Sequence, residues 1–152
     1  MMQEAKMDIR KMAIDDYERV YCLWRNTPGM GLNRVDDSQA GILKYLNRNP
    51  NTCFVAEESG EILGVIMSGH DGRRGFIHHT AVAISARERG IGSQLLEHAM
   101  TALEREGINK VALVVFASND IGNRFWENRG FSKREDLIYR NKNIHALKRI
   151  DT

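Results

Sequence analysis

The chain has 152 residues, the length of a single domain, and its 42% hydrophobic content is enough for one well-filled core. The 22 Lys and Arg residues nearly balance the 20 Asp and Glu residues, and this net charge of +2 argues against a nucleic-acid or membrane partner. No apolar stretch approaches the roughly 18 residues that a membrane span needs, so we expect a cytoplasmic protein.

The two cysteines, Cys22 and Cys53, lie far apart and form no C-x-x-C motif. They predict neither a disulfide framework nor a metal site. The first residues also lack an apolar stretch of signal-peptide length. Because no repeat, linker or low-complexity segment divides the chain, we expect one domain over residues 1–152.

The hydrophobic pattern of the first half predicts two helices and four strands. Alternating apolar and polar residues predict a strand over 7–12, and Asp15-Asp16 is a plausible cap for the helix that follows and includes Trp24. Turn-forming residues over 26–32 separate this helix from a second one over 37–49. The other predicted strands cover residues 53–56, 62–68 and 75–84.

The second half contains the clearest helix, over residues 90–106, which Gly107 closes as a C-terminal cap. A continuous apolar run over 111–116 predicts a strand buried on both faces. A short helix over 120–129 and two strands over 132–139 and 143–149 complete the pattern. The predicted fold is α/β, a mixed and mostly antiparallel seven-stranded sheet with helices on both faces.

The turn between the strand over 75–84 and the clearest helix has the chemistry of an anion site. Gly90 and Gly92 leave backbone N–H groups uncovered, and a helix N-terminus favours a negative charge. Arg87 and Arg89 add positive charge beside it. The Walker pattern is missing, and Leu95 stands where a dinucleotide-binding turn has its third glycine. The turn therefore suits another phosphate-rich ligand, unless it is only a tight strand-to-helix connection.

Two motifs identify a family resemblance. The first is Arg87-x-x-Gly90-x-Gly92, after a strand that ends Val82-Ala83-Ile84. The second is Asn119-x-x-Gly122-x-x-Phe125-Trp126-Glu127-x-x-Gly130-Phe131. Together they resemble the acetyl-CoA signature and the following Asn-x-x-Ala-x-x-Leu/Phe-Tyr-Glu-x-x-Gly-Phe motif of the GNAT superfamily of N-acetyltransferases. The order of helices and strands also agrees, so the resemblance covers nearly the whole chain.

The resemblance implies that acetyl-CoA is the acyl donor and that no metal is needed. The sheet is then expected to splay between the strands over 75–84 and 111–116, with the pantetheine arm in the gap. Backbone groups of the first strand would bind the pantetheine amides, the turn would wrap the diphosphate, and Asn119 would approach from the other side. The residues expected at this site are Val82, Ala83, Ile84, Arg87, Glu88, Arg89, Gly90, Ile91, Gly92, Ser93, Asn119 and Trp126.

Two positions depart from the family pattern. Ile84 replaces a common proline, which changes little because only backbone contact is expected there. Trp126 replaces the tyrosine that commonly donates a proton to the leaving thiolate, and an indole N–H cannot act as an acid near neutral pH. Either another group donates, with Tyr139 as the best candidate, or the thiolate takes its proton from water.

The acceptor amine must be neutral before it attacks a thioester. Simple alternation places His78 on the same strand face as Thr80 and Val82, and His79 on the opposite face. In several branches of the family a His or Glu on that strand, with the same alternation as His78, serves as the base directly or through water, which makes His78 the candidate. The alternative for both histidines is a structural role among their neighbours.

The predicted function is transfer of the acetyl group of acetyl-CoA to a primary amine of a small molecule, a peptide or a protein N-terminus. The alternative is a CoA-binding sensor or interaction module of the same fold. We expect the acceptor site between the loop over 26–37, the turn over 69–74 and the C-terminal strands. Asp36, Asp37 and Asp71 would either attract a cationic acceptor or be solvated at the surface. A homodimer is possible.

Overall fold

The computed structural model describes residues 6–150, which form a mixed α/β sheet with helices on both faces. The sheet has five strands in chain order instead of the predicted seven. They are β1 (Asp8–Lys11), β2 (Phe54–Glu58), β3 (Glu61–His70), β4 (Gly75–Val82) and β5 (Val111–Ala112). Pairing is antiparallel from β1 to β4, and β5 runs parallel to β4.

All four predicted helices are present. They are α1 (Tyr17–Arg25), α2 (Gln39–Arg48), α3 (Ile91–Arg105) and α4 (Asp120–Asn128). Two of them begin at a side-chain cap. The Ser38 hydroxyl accepts the N–H of Gly41 at 3.1 Å, and the Asn119 Oδ1 accepts the N–H of Gly122 at 2.9 Å. Such caps satisfy one of the free N–H groups of the first turn.

The two faces of the sheet bury two separate apolar clusters. Alternation along β2 and β3 sends Val55 and Val65 towards α1, where they meet Trp24, and sends Ile66 towards α3. The cluster on the α3 side also contains Leu95, which is fully buried. Helices on both faces therefore leave the edges and ends of the sheet as the places where a ligand can enter.

A bulge interrupts β4 in the middle of the strand. Val65 pairs with Ala81 and Met67 pairs with His78, so two residues of β4, His79 and Thr80, lie opposite a single residue of β3. His79 has a φ of +42°, in the left-handed region. The extra residue shifts the alternation of the rest of the strand by one position.

The bulge overturns the predicted orientation of the two histidines. Val82 packs on the α3 side, whereas the ring of His78 contacts Tyr45 of α2 on the other side. The ring of His79 lies on this same side, 5.1 Å from that of Trp24. His78 and His79 therefore share the α1–α2 face, and the expectation that His78 lies on the face of Val82 is wrong.

The predicted strands over 132–139 and 143–149 are not formed in the described chain. Residues 132–146 are exposed, and their charged side chains pair locally, as in the contact between Arg134 and Asp136 at 2.7 Å. An alternating pattern favours a strand without specifying a partner for it. The last described residues instead meet the α1–α2 loop, where the Ile150 N–H donates to the Leu32 carbonyl at 2.7 Å.

The apolar run over 111–116 is also less buried than predicted. Only its first two residues pair with β4, and the side chains then alternate between half-buried and exposed. Val114 is 58% exposed and Phe116 is 44% exposed. Val111 and Leu113 pack on the α3 side, whereas the opposite face of the segment, which carries Val114 and Phe116, is exposed. Within residues 6–150 no helix is both long enough and apolar enough to cross a membrane.

Candidate active site

The N-terminus of α3 carries a row of free backbone donors. Gly90 precedes the helix with a φ of +76°, and no side chain caps the first turn. In the described part of the chain, no protein oxygen accepts a hydrogen bond from the N–H groups of residues 88–93. Free N–H groups and the helix dipole together favour an anionic ligand at this point.

The adjacent edge of β4 is open. Strands β4 and β5 pair only through Gly75 with Val111 and through Phe76 with Ala112. Beyond these pairs the two strands separate, so within residues 6–150 no strand pairs with the backbone over 77–82 on that side. A short 3-10 helix, Ile84–Ala86, connects this open edge to the free N–H groups of α3. A ligand with amides and phosphates therefore finds backbone partners along one continuous path.

The positive charge beside this path differs from the expectation at one position. Arg89 is paired with Glu58 at 2.6 Å, so its charge is compensated. Arg87 is exposed and makes only a long contact of 3.5 Å with the Val82 carbonyl. Arg129 is a residue that the sequence interpretation missed. Its guanidinium lies 3.8 Å from the centre of the Phe125 ring and donates to the Ser93 hydroxyl at 2.9 Å.

The start of α3 and the helix α4 pack closely together. A Cβ on Gly92 would lie 3.0 Å from the ring of Phe125 and 3.7 Å from the Val82 side chain. The ring of Trp126 stands perpendicular to that of Phe125 and packs against Phe131. The structure thus brings together the two motifs on which the family resemblance rests.

Two polar groups of α4 have no protein partner among residues 6–150. The Oδ1 of Asn119 caps the helix, while its Nδ2 donates no hydrogen bond to the protein. The indole N–H of Trp126 is also unpaired within the described chain, and the residue is half-buried. Both donors therefore remain available to a ligand.

A histidine–carboxylate pair lies on the α1–α2 face of β4. The Nε2 of His79 is 2.7 Å from the Oδ1 of Asp37, whose side chain is only 5% exposed. The other carboxylate oxygen of Asp37 accepts the backbone N–H of Asn33 at 2.8 Å. Asp37 is therefore buried and paired, not solvated at the surface as expected. Sequence reasoning missed the pair because 42 residues separate its members.

His78 has different surroundings. Its ring is flanked by the rings of Tyr45 at 5.6 Å and Phe76 at 4.6 Å, although the residue keeps an exposed surface. Desolvation, and to a smaller extent the charge of His79, lower the pKa of His78 to about 4 against the opposing effect of Asp37. His78 is therefore neutral at pH 7 and a weak base.

The other predicted residues occupy separate places. Tyr139 is 68% exposed and lies in the segment that forms no strand. Asp36 accepts from the Asn33 side chain at 3.0 Å. The N–H groups of Arg74 and Arg73 lower the pKa of Asp71, which closes its own turn. Among residues 6–150 no three His, Cys, Asp or Glu side chains are placed to hold a metal ion.

The α1–α2 loop forms a wall beside the open edge. The Phe116 ring lies against it, within 3.4 Å of the position that a Cβ on Gly31 would take. The Arg149 guanidinium stands 5.3 Å from the centre of that ring. This wall and the His79–Asp37 pair lie on the side of β4 opposite α3.

Comparison with known proteins agrees with this arrangement. The profile of the acetyltransferase (GNAT) family matches residues 13–131. An acetyltransferase of Sodalis glossinidius is 31% identical over 138 residues, which cover 91% of this chain and 96% of that protein. An acetyltransferase of Pectobacterium atrosepticum is 36% identical over 114 residues, or 75% of this chain and 79% of the relative.

Solved structures show the same fold. The Ard1 protein of Thermoplasma volcanium superposes with a TM-score of 0.74 and 25% identity, covering 83% of this chain and 82% of that one. An aminoglycoside N-acetyltransferase in complex with CoA gives a TM-score of 0.70 at 21% identity, covering 93% and 98% of the two chains. From the family match over residues 13–131 and the relative at 31% identity, we conclude that the chain belongs to the GNAT family of acetyltransferases.

Proposed function

We propose that this protein transfers the acetyl group of acetyl-CoA to a primary amine by direct attack in a ternary complex. The observation that carries the proposal is the row of free N–H groups over 88–93, placed at the end of the open edge of β4. The diphosphate of CoA matches the free donors, and its pantetheine amides match an unpaired strand edge. The family's activity supports the same assignment.

The residues proposed to hold the donor follow from this geometry. Backbone groups of Val82, Ala83 and Ile84 face the pantetheine arm, and the amides over 87–93 surround the diphosphate. The Asn119 Nδ2 and the indole of Trp126 border the gap from α4. Arg129 adds a positive charge at the Ser93 end of the turn. When bound, acetyl-CoA supplies a thioester, whose carbonyl carbon is open to attack by an amine.

The acceptor is proposed to approach from the α1–α2 face. There the wall of the α1–α2 loop and Phe116 borders the face on which His78 and His79 lie. A small molecule, a peptide or a protein N-terminus would each present the required amine. No cysteine is needed as an intermediate carrier. Burial raises the pKa of Cys53 to about 12, so its thiol is not a nucleophile at neutral pH.

The leaving thiolate must gain a proton, either from a side chain or from another source. Trp126 has no acidic group, and Tyr139 lies exposed in the C-terminal segment. We propose that the thiolate takes its proton from water or from the amine nitrogen, with Tyr139 as the alternative donor. The tryptophan at this position also favours a second candidate function, a CoA-binding sensor without turnover.

Calorimetry with CoA and acetyl-CoA, followed by a free-thiol assay over small amines, peptides and polyamines, tests the proposal. Ser93→Glu puts a carboxylate among the free N–H groups and should reduce CoA affinity at least 100-fold, because it competes with the diphosphate. Ser93→Gln has nearly the same shape without the charge and should bind CoA much more tightly than Ser93→Glu. Equal affinities in the two variants would refute the assigned turn. Tight binding by wild type without thiol release from any amine would favour the sensor.

A further inference from the structure

We propose that His79, rather than His78, is the base that takes a proton from the acceptor amine, and that Asp37 positions its ring. The inference rests on the proposed function and names the proton acceptor of that site. It is carried by the short contact between His79 and the buried carboxylate of Asp37.

The contact fixes which ring nitrogen can act. A carboxylate only accepts hydrogen bonds, so the Nε2 of His79, which lies 2.7 Å from the Oδ1 of Asp37, carries the proton and donates it. The neutral ring then keeps its lone pair on Nδ1, which has no protein partner within residues 6–150. The His79 side chain is 19% exposed, so this nitrogen is reachable but sheltered. A buried carboxylate that orients a histidine and stabilises its charged form is an established device for base catalysis.

The unusual backbone conformation of His79 is held in place by contacts from neighbouring elements. A φ of +42° is unfavourable for a non-glycine residue. Two bonds from α1 and its following loop hold the residue there, one from the Trp24 indole to the His79 carbonyl at 3.0 Å and one from His79 to Asp37. Strain that is held in place by surrounding contacts is concentrated at functional sites.

The ring of His79 is surrounded by one carboxylate and by aromatic and apolar side chains. Asp37 faces it from the α1–α2 loop, and Asp36 beside it is turned towards Asn33. From α1 the ring meets Trp24, and the Tyr17 hydroxyl donates to the Asp37 carbonyl at 2.7 Å. On β4 its neighbour is His78, which is neutral at pH 7, and the β3 residues opposite the bulge are apolar.

The proton balance is complete with these groups. The amine arrives as R–NH3+ and gives one proton to Nδ1, which later releases it to water. The nitrogen lone pair forms the C–N bond at the acetyl carbonyl carbon, and the C–S bond breaks with its electron pair on sulfur. A second proton leaves the nitrogen and reaches that sulfur, so the products are the acetamide and the free thiol of CoA.

The test compares two acceptor classes across pH. A lysine-like amine with a pKa near 10.4 must be deprotonated at pH 7, whereas an α-amine near 8 is already partly neutral. His79→Gln should therefore lower kcat/KM roughly 100-fold for a lysine-like acceptor and only a few-fold for an α-amine, and should change the pH profile of kcat/KM. His98 is an exposed histidine on α3, and His98→Gln is the matched control. It should keep the kcat/KM of wild type with both acceptors.

Asp37 variants test its positioning role. Asp37→Asn should lower kcat for the lysine-like acceptor and shift the pH profile, with the Kd of CoA unchanged, and Asp37→Glu should recover part of the rate. Nitrogen-15 spectra of wild-type His79 should show a proton on Nε2 and none on Nδ1. The opposite tautomer, or equal rates and profiles in His79→Gln, would overturn the inference while leaving the proposed function intact. No turnover by wild type with any amine would overturn both.

Discussion

The indole of Trp24 donates a hydrogen bond from its Nε1 to the main-chain carbonyl of His79, 3.0 Å away. Trp24 is fully buried, and the carbonyl belongs to the bulge of β4, which leaves the regular ladder at this point. Without the indole this carbonyl would be a buried acceptor with no partner. A core residue of α1 thus supports the irregular backbone that turns both histidines to one face of the sheet.

Trp24→Phe should therefore destabilise the protein more than its loss of volume alone implies. The smaller ring leaves a cavity and an unsatisfied carbonyl, and we expect a loss of about 2–4 kcal/mol in the free energy of unfolding. Trp126→Phe is the matched variant, because that indole is half-buried and its N–H has no protein acceptor in the described chain. It should cost less than about 1.5 kcal/mol. Urea denaturation of both variants measures the difference, and equal losses would contradict a role for the indole hydrogen bond.

The sequence predicted the elements that build the donor site. Local signals sufficed for this, because α3 has a long apolar stripe and the glycines before it lie next to a buried strand. All four helices and the first four strands are present near their expected places. The free N–H groups before Ser93 follow from the same local rule, since no capping side chain precedes the helix.

The acceptor side was harder to predict because its contacts are long-range. The bulge at His79 adds one residue to β4, and nothing in the alternating pattern of that strand marks it. The partner of His79, Asp37, belongs to a loop whose position depends on how α1 and α2 pack. The C-terminal strands failed for a related reason, since a strand pattern requires a neighbour that the sequence does not name.

Replacement of Trp126 tests whether proton supply to the thiolate limits turnover. If the thiolate leaves unassisted, Trp126→Phe should keep most of the kcat and Trp126→Tyr should change it little. A tenfold gain in Trp126→Tyr, equivalent to about 1.4 kcal/mol, would instead show that an acid is missing from the wild-type site. Steady-state thiol release at saturating acetyl-CoA measures both, with CoA affinity checked by calorimetry.

Acid should weaken the fold through Asp16. Its side chain is 3% exposed and accepts both Nη groups of Arg10, at 2.7 and 2.8 Å. Burial alone would raise the pKa of Asp16, but the bonds from Arg10 and the Ala13 N–H, with the charge of Arg19, outweigh it and lower the pKa. A lowered pKa means that the stabilisation is present above the unfolded value of about 3.9 and is lost as the pH falls through the folded value.

Asp16→Asn should therefore lower the free energy of unfolding by about 2 kcal/mol at pH 7 and lose less further stability in acid than wild type does. Urea denaturation at pH 7, 5 and 3 measures both effects. Asp136→Asn is the control, because its ion pair with Arg134 is at the surface, where solvent screens it, and its loss should leave the stability nearly unchanged. A wild-type stability that stays constant down to pH 3 would contradict the role given to Asp16.

Gly92 combines a free backbone N–H with close packing against α4, and mutation can separate these two features. Its backbone N–H belongs to the free row at the start of α3, and its missing Cβ leaves room for the ring of Phe125, which a methyl group would meet at 3.0 Å. Gly92→Ala should cost about 1–2 kcal/mol of stability by overpacking and should weaken CoA binding.

Adding Phe125→Leu to Gly92→Ala makes room for the methyl group and should recover most of that stability. The single Phe125→Leu variant completes the double-mutant cycle. It measures the cost of losing the contact between Arg129 and the Phe125 ring, and the double variant is compared with it. If CoA affinity stays low in the double variant, the ligand itself requires close approach to the backbone of Gly92. If affinity returns together with stability, the glycine is needed only for the packing of α4 against α3.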